Sequence, residues 1–302
     1  MRIGTMSNAV NDGTVEEVVA EAQACRDLGA DTFWAPQIFG HDTLTALAVV
    51  ATKVPGLEYG TAVVPTFPRY PAMLAQQALT LSQITGGKLC LGIGLSHRIV
   101  VEGMWGMSYD KPVRHMREYL SVLMPLLDGR PVQFEGQDYT ARLGLSITGI
   151  PRPSVVVAAL GTQMLRVTGE LADGTSTWCV GPNTLRDHIV PTLRQAATDA
   201  GRPAPRVVCS LPISVTDDVD AARTRAAQVF AVYTHLPSYR AMMDKEGVPD
   251  ASGLAIVGSE AEVGERLDEL AAIGVTDFNA GLFSGDPEEI ARTKALLRGR
   301  LA

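Results

Sequence analysis

Short β-type runs alternate with helical patterns along almost the whole of this 302-residue chain, and that alternation leaves few architectures open. The first run, Arg2–Asn8, precedes a helical pattern in which Val15, Val18, Val19 and Ala22 keep helical spacing. Thr14-x-x-Glu17 is a capping box at its start, and Gly29 stops it as a left-handed cap. "ADTFWAP" is the second run and "EYGTAVV" the third. Pro71 then opens a helix with Leu74, Ala78 and Leu81 on one face, stopped by Gly86-Gly87. "KLCLGIGL" is the fourth run, with its helix over Pro112–Leu127. "SVVVAAL", "GTSTWCV", "RVVCSLPISV" and "VTDFNAGLF" complete the strands. Helices are predicted between them over Gln163–Leu171, Thr184–Ala200, Val219–Asp244 and Glu260–Ile273, and Pro287 opens the closing one.

The helix-to-strand joins "DLGADTFW" and "AIGVTDFN" resemble each other, so one supersecondary unit is being repeated. Two stretches break the rhythm. "PVQFEGQDYTARLG" reads as a small hairpin inserted after the fourth helix, and "EGVPDASGLAIVG" as an irregular insertion after the seventh. Eight strand–helix units without a linker predict an α/β fold, a (β/α)₈ barrel forming one domain over residues 1–302. The alternative, a doubly wound open sheet, would give fewer strands and a composition break between halves.

With 46% hydrophobic and 20% charged residues, the chain can bury a full core. Its net charge of −7, without a basic block, argues against nucleic-acid and membrane partners. No run of about 18 apolar residues occurs and "MRIGTMSNAV" has no apolar signal core, so a cytoplasmic protein is expected. Cys25, Cys90, Cys179 and Cys209 lie in apolar patterns without CxxC spacing and read as reduced, buried hydrophobes. The five histidines show no metal-ligand spacing, so no metal site is predicted.

In such a barrel, ligands bind where the strands end at the C-terminal face. The fourth strand ends in "LCLGIGLSH", residues 89–97, which has His97 where a GxGxxG would need its third glycine. With no helix expected to open at once, a dinucleotide fingerprint is ruled out. Period two puts Leu89, Leu91 and Ile93 on one face and Cys90, Gly92 and Gly94 on the other. Either a flat ligand lies against the bare glycines, or neighbouring core groups fill the space. His97 is a candidate catalyst or a satisfied polar residue. After the fifth strand, Leu160-Gly161-Thr162 leads into a helix for which Thr162 is a plausible N-cap and its free amides an anion site; an ordinary capped turn is the plainer reading. Phe67, Arg69 and Tyr70 stand on a proline-fixed loop after the third strand. Trp34, Gln37 and Phe39, after the second, could line a pocket or simply pack. A site this apolar and poor in ionisable groups suits a redox ring better than hydrolysis.

The runs "GTAVVPTFPRYPAMLAQQALTLSQITGGKLCLGIGLSH", "VEGMWGMSYDKPVRHMREYLSVLMPLLDG" and "VVVAALGTQMLRVTGELADGTSTW" resemble the bacterial luciferase-like superfamily, and within it the actinobacterial coenzyme F420-dependent oxidoreductases. The resemblance covers nearly the whole chain. It implies a bulge after Gly60-Thr61 with a cis peptide at Ala62–Val63 supporting the cofactor's central ring. It implies that Gly94, Leu95, Ser96 and His97 contact the ring and face substrate, and that Ala159, Leu160, Gly161 and Thr162 hold the phosphate. The superfamily's sugar-phosphate dehydrogenases place a His after the second strand and a Glu in the fourth-strand loop. Here Gln37 and His97 stand at those positions, so that substrate and acid–base pairing do not transfer.

The expected activity is hydride transfer between F420 and a small organic substrate, with His97 exchanging a proton and Gln37 hydrogen-bonding substrate. The alternatives are an FMN-dependent monooxygenase or a flavin-binding protein without turnover. A homodimer is expected.

Overall fold

A computed structural model of the chain describes residues 1–301. Twelve strands occur among them: β1 Arg2–Met6, β2 Thr32–Ala35, β3 Glu58–Thr61, β4 Val64–Pro65, β5 Leu89–Gly94, β6 Val132–Glu135, β7 Thr140–Leu143, β8 Ser154–Val157, β9 Gly174–Trp178, β10 Arg206–Val215, β11 Ile256–Gly258 and β12 Asp277–Leu282. Parallel pairing runs β1-β2-β3-β5-β8-β9-β10-β12 and returns to β1, closing an eight-stranded barrel inside its helices. The predicted (β/α)₈ architecture is the one observed. Such strands are covered on both faces, and all six residues of β5 are buried.

The repeated helix-to-strand join has one geometry. Gly29 and Gly274 are both left-handed, at φ 88° and 108°. Each sits behind a capping-box helix, Val15–Leu28 and Glu260–Ile273, and the next residue donates back five positions, Ala30 to Cys25 and Val275 to Leu270.

Inside the barrel, the first residues of four strands close the N-terminal end. Arg206 binds Glu58 and Asp277, and Arg2 reaches both carboxylates as well. Above this floor lie Trp34, Cys90, Val156 and Val208, with Ala62 against them. All four cysteines are buried and free, as their sequence contexts implied.

Four expectations need correction. The helix expected over Val219–Asp244 is three pieces, Val219–Val229, Ala231–Thr234 and Pro237–Glu246. Pro237 has no amide to continue a helix and so starts a new one. The break also lets Phe230 and Tyr239 join one aromatic cluster. On a straight helix, nine residues would put them about half a turn apart. The stretch after it is not all irregular: a 3₁₀ turn, Ala251–Leu254, leads into β11, which pairs with the end of β10. A helix, Arg98–Gly103, opens directly after His97, where none was expected. The helix expected from Thr184 contains a π turn, Leu185–Ile189, before Val190–Asp199. The hairpin after the fourth helix is present as β6 and β7. Among the described residues no helix is long and apolar enough to cross a membrane.

Candidate functional site

The site begins where β3 stops pairing with β5. Regular pairing covers Tyr59–Leu89 and Gly60–Cys90, then resumes one bulge later between β4 and β5 at Val64–Ile93 and Pro65–Gly94. Across the gap the Thr61 hydroxyl takes over, donating to the Gly92 carbonyl at 2.7 Å and accepting from the Gly92 amide at 2.8 Å. The Ala62–Val63 peptide in this bulge is cis. Ala62 packs toward the interior cluster and Val63 leans over β5; both are half-buried at the mouth.

That bulge explains the bare glycines. A Cβ on Gly92 would stand 1.9 Å from the Thr61 carbonyl oxygen, and one on Gly94 2.7 Å from Val63 Cγ2 and 3.1 Å from Ala158 Cβ. Of the two readings of "LCLGIGLSH", close packing accounts for the space directly over the glycines. Trp34 likewise packs rather than lining a pocket. It is fully buried, and its ring lies where Cβ atoms on Gly4 and Gly60 would intrude, at 2.7 and 2.2 Å.

Beyond Gly94 the chain turns outward. Leu95, Ser96 and His97 are half-buried, with Ser96 left-handed at φ 60°. Among the described residues neither His97 ring nitrogen has a hydrogen bond, and the ring faces Tyr239 at 5.8 Å. Burial lowers the His97 pKa, so the ring is neutral at neutral pH and can accept a proton.

Gln37 is not free to act alone. Oriented for hydrogen bonding, its amide oxygen accepts from both Arg69 terminal nitrogens, at 2.8 and 3.0 Å. Arg69 also pairs with Asp42, the N-cap of the helix Thr43–Lys53. The loop carrying Arg69 is braced further back. Phe67 stacks on His115 at 4.0 Å, and the Thr66 hydroxyl meets His115 Nε2 at 2.9 Å. Burial pushes the His115 pKa down to about 4, so this brace is neutral.

After β8, the Ala158 amide donates to the Ile93 carbonyl at 2.8 Å, tying the turn to the end of β5. Thr162 does not cap the next helix. Gly161 holds the N-cap position, Thr162 is the first helical residue, and no side chain caps Thr162–Leu171. Gly161, Thr162 and Gln163 are exposed, and a Cβ on Gly161 would meet nothing within 4 Å. Arg166, one turn along and lining the same groove as Thr162, makes no ion pair among the described residues. The turn therefore offers open amides and has no carboxylate of its own, while Glu170 and Asp199 line the groove together with Arg166.

Two features went unrecognised in the sequence. Trp178, at the end of β9, meets Phe230 and Tyr233, and Tyr233 meets Tyr239, so an aromatic cluster reaches from β9 to His97. Burial raises the Tyr239 phenol well above its ordinary range, keeping it a donor. His188, in the π turn, lies with Nε2 2.8 Å from the Leu160 carbonyl. Long-range placement is the only signal for either.

The comparisons with known proteins agree on the fold. A 5,10-methylenetetrahydromethanopterin reductase of Archaeoglobus fulgidus is 26% identical over 309 residues, covering 90% of this chain and 91% of its own. The structure of a coenzyme F420-dependent tetrahydromethanopterin reductase from Methanopyrus kandleri superposes with a TM-score of 0.81 at 19% identity, over 99% of this chain and 98% of that one. The FMN-bound oxygenating constituent of 3,6-diketocamphane monooxygenase from Pseudomonas putida gives a TM-score of 0.79 at 17% identity, over 100% and 98%. The luciferase-like monooxygenase family model matches residues 1–293, and the chain belongs to that family.

Proposed function

We propose that the protein is a coenzyme F420-dependent oxidoreductase that transfers hydride between the deazaflavin and a small organic substrate. The observation that carries this reading is the uncapped turn Ala159–Thr162, exposed at Gly161 and Thr162 and without a carboxylate of its own, beside a half-buried apolar ledge. These residues fit a ring with a phosphate-bearing tail. Ala62, Val63, Gly94, Leu95 and Ser96 would support the ring, and the amides of the turn, with Arg166 nearby, would bind the phosphate. When bound, the deazaflavin supplies the hydride acceptor or donor. His97, neutral and without a hydrogen-bond partner among the described residues, exchanges the proton that accompanies hydride transfer. Gln37, held by Arg69 through its oxygen, would hydrogen-bond substrate through its amide nitrogen.

A second reading is an FMN-dependent monooxygenase, favoured by the FMN-bound structure of the same fold. The F420-dependent reductase structure of the same fold supports the deazaflavin. Titration of the purified protein with F420 and FMN separately tests the choice. F420 is expected to bind at micromolar Kd or tighter, about −8 kcal/mol, and FMN more weakly. FMN that co-purifies stoichiometrically and resists displacement by F420 would move the assignment to the monooxygenase. In the same titration His97→Ala is expected to keep binding within about tenfold, and in a separate assay of F420 oxidation or reduction its turnover should fall on the order of 10²-fold. Unchanged turnover would remove His97 from the chemistry.

A further inference from the structure

We propose that His188 is a positioning residue for the phosphate turn, aimed there by the π turn that carries it; this rests on the proposed function above. Its ring Nε2 lies 2.8 Å from the Leu160 carbonyl oxygen, 28 residues away in sequence. A carbonyl only accepts, so the ring must present Nε2–H to it. The Leu160 carbonyl and the Gly161 amide belong to one planar trans peptide and point in opposite directions. Holding the oxygen on His188 therefore fixes the direction of the Gly161 N–H. Little else holds that peptide. Gly161 has no side chain, a Cβ there would touch nothing within 4 Å, and the Gly161 amide has no protein partner among the described residues. Without the histidine, a glycine peptide on an exposed turn can rotate and point its carbonyl, rather than its amide, at an anion.

The aim of His188 has a local cause. Pro191 supplies no amide to the helical ladder, and the Val190 amide bonds five residues back to the Leu185 carbonyl. That slip inserts one residue, which rotates the preceding side chains by about 100° relative to an unbroken helix. The phase of the helix Val190–Asp199 is itself fixed, because Val190, Leu193, Ala196 and Ala197 are buried. A regular helix in that phase would carry His188 away from Leu160.

The test separates phosphate from ring. Wild type, His188→Ala and His188→Gln are titrated with FMN against riboflavin, and with F420 against its phosphate-free chromophore. Amide exchange at Gly161–Gln163 is followed in the ligand-free proteins. His188→Ala should lose about tenfold for the phosphate-bearing ligands only, the size of one hydrogen bond, and should exchange faster at Gly161–Gln163. His188→Gln, whose Nε2 occupies nearly the place of the histidine's, should restore both. If His188→Ala does not fold, His188→Leu keeps the bulk without a donor and is read instead. Unchanged affinity, equal weakening of both ligand forms, or no rescue by glutamine would overturn the proposal. A wild-type protein that does not prefer the phosphate-bearing forms would instead refute the phosphate placement itself, and the proposal with it.

Discussion

A methyl group added at Gly94 would press on Val63 Cγ2 before it could touch any ligand. Gly94→Ala is therefore expected to destabilise the fold by about 1–3 kcal/mol through overpacking. Val63→Ala in the same chain removes the obstructing methyl and should recover most of that loss. Urea unfolding of the two single variants and the double variant gives the coupling. Simply additive losses would show that the clash is not what keeps position 94 bare. At this scale the sequence singled out these residues and left the reason for the bare glycines open. Gly94, Leu95, Ser96 and His97 do stand at the mouth, but nothing in "LCLGIGLSH" says that the Thr61 carbonyl and Val63 fill the space above its glycines. From the sequence, Gln37 reads as a group that hydrogen-bonds substrate. Its commitment to Arg69 comes from a different loop, 32 positions on, and neither local spacing nor residue type carries that information.

At the level of elements, one carboxylate gathers three amides of the inserted hairpin, beside the Arg114–Asp138 ion pair and the Tyr70–Thr140 hydrogen bond. Glu118, buried on the helix Pro112–Leu127, accepts from the amides of Gln137, Asp138 and Tyr139 at 3.0, 2.7 and 3.0 Å. Glu118→Gln keeps one acceptor oxygen and turns a donor toward amides that also donate. It should cost about 1–3 kcal/mol and loosen β6 and β7 locally. Limited proteolysis and amide exchange at 132–143 are expected to increase while exchange in β5 and β8 stays unchanged. Global unfolding without local loosening would mean that the hairpin is part of the barrel's cooperative unit. Capping boxes, glycine stops and proline starts were legible because each depends on a few adjacent residues. The three-piece helix over 219–246 and the π turn were not. Both are set by where aromatic rings, buried faces and missing proline amides must lie against other elements.

At the scale of the whole barrel, the ionic floor joins strands far apart in sequence. Burial by itself raises the Glu58 carboxyl, but Arg206 and Arg2 more than offset this and the net shift is downward. The unfolded chain then binds more protons around the ordinary glutamate pKa. The floor's contribution is thus present above that range and is lost as pH falls through the lowered folded value. Arg206→Met leaves Glu58 and Asp277 with Arg2 alone, and should cost about 3 kcal/mol at pH 7. Its stability should also fall less steeply than wild type between about pH 5 and pH 3, because less of the lowered pKa remains to be lost. Urea unfolding across that range checks both; an unchanged acid slope would show that the floor is not the linked group. By itself the sequence determined the number of strand–helix units, most of their boundaries, the closed barrel and the loops that meet at its mouth. Those follow from short-range periodicity, caps and the rule that repeated β–α units wind in one hand. Only the tertiary structure decided what lies above the glycines, what restrains Gln37 and Leu160, and which aromatic ring meets His97. Each of those is a contact between residues tens of positions apart, and closing the barrel is what brings them together.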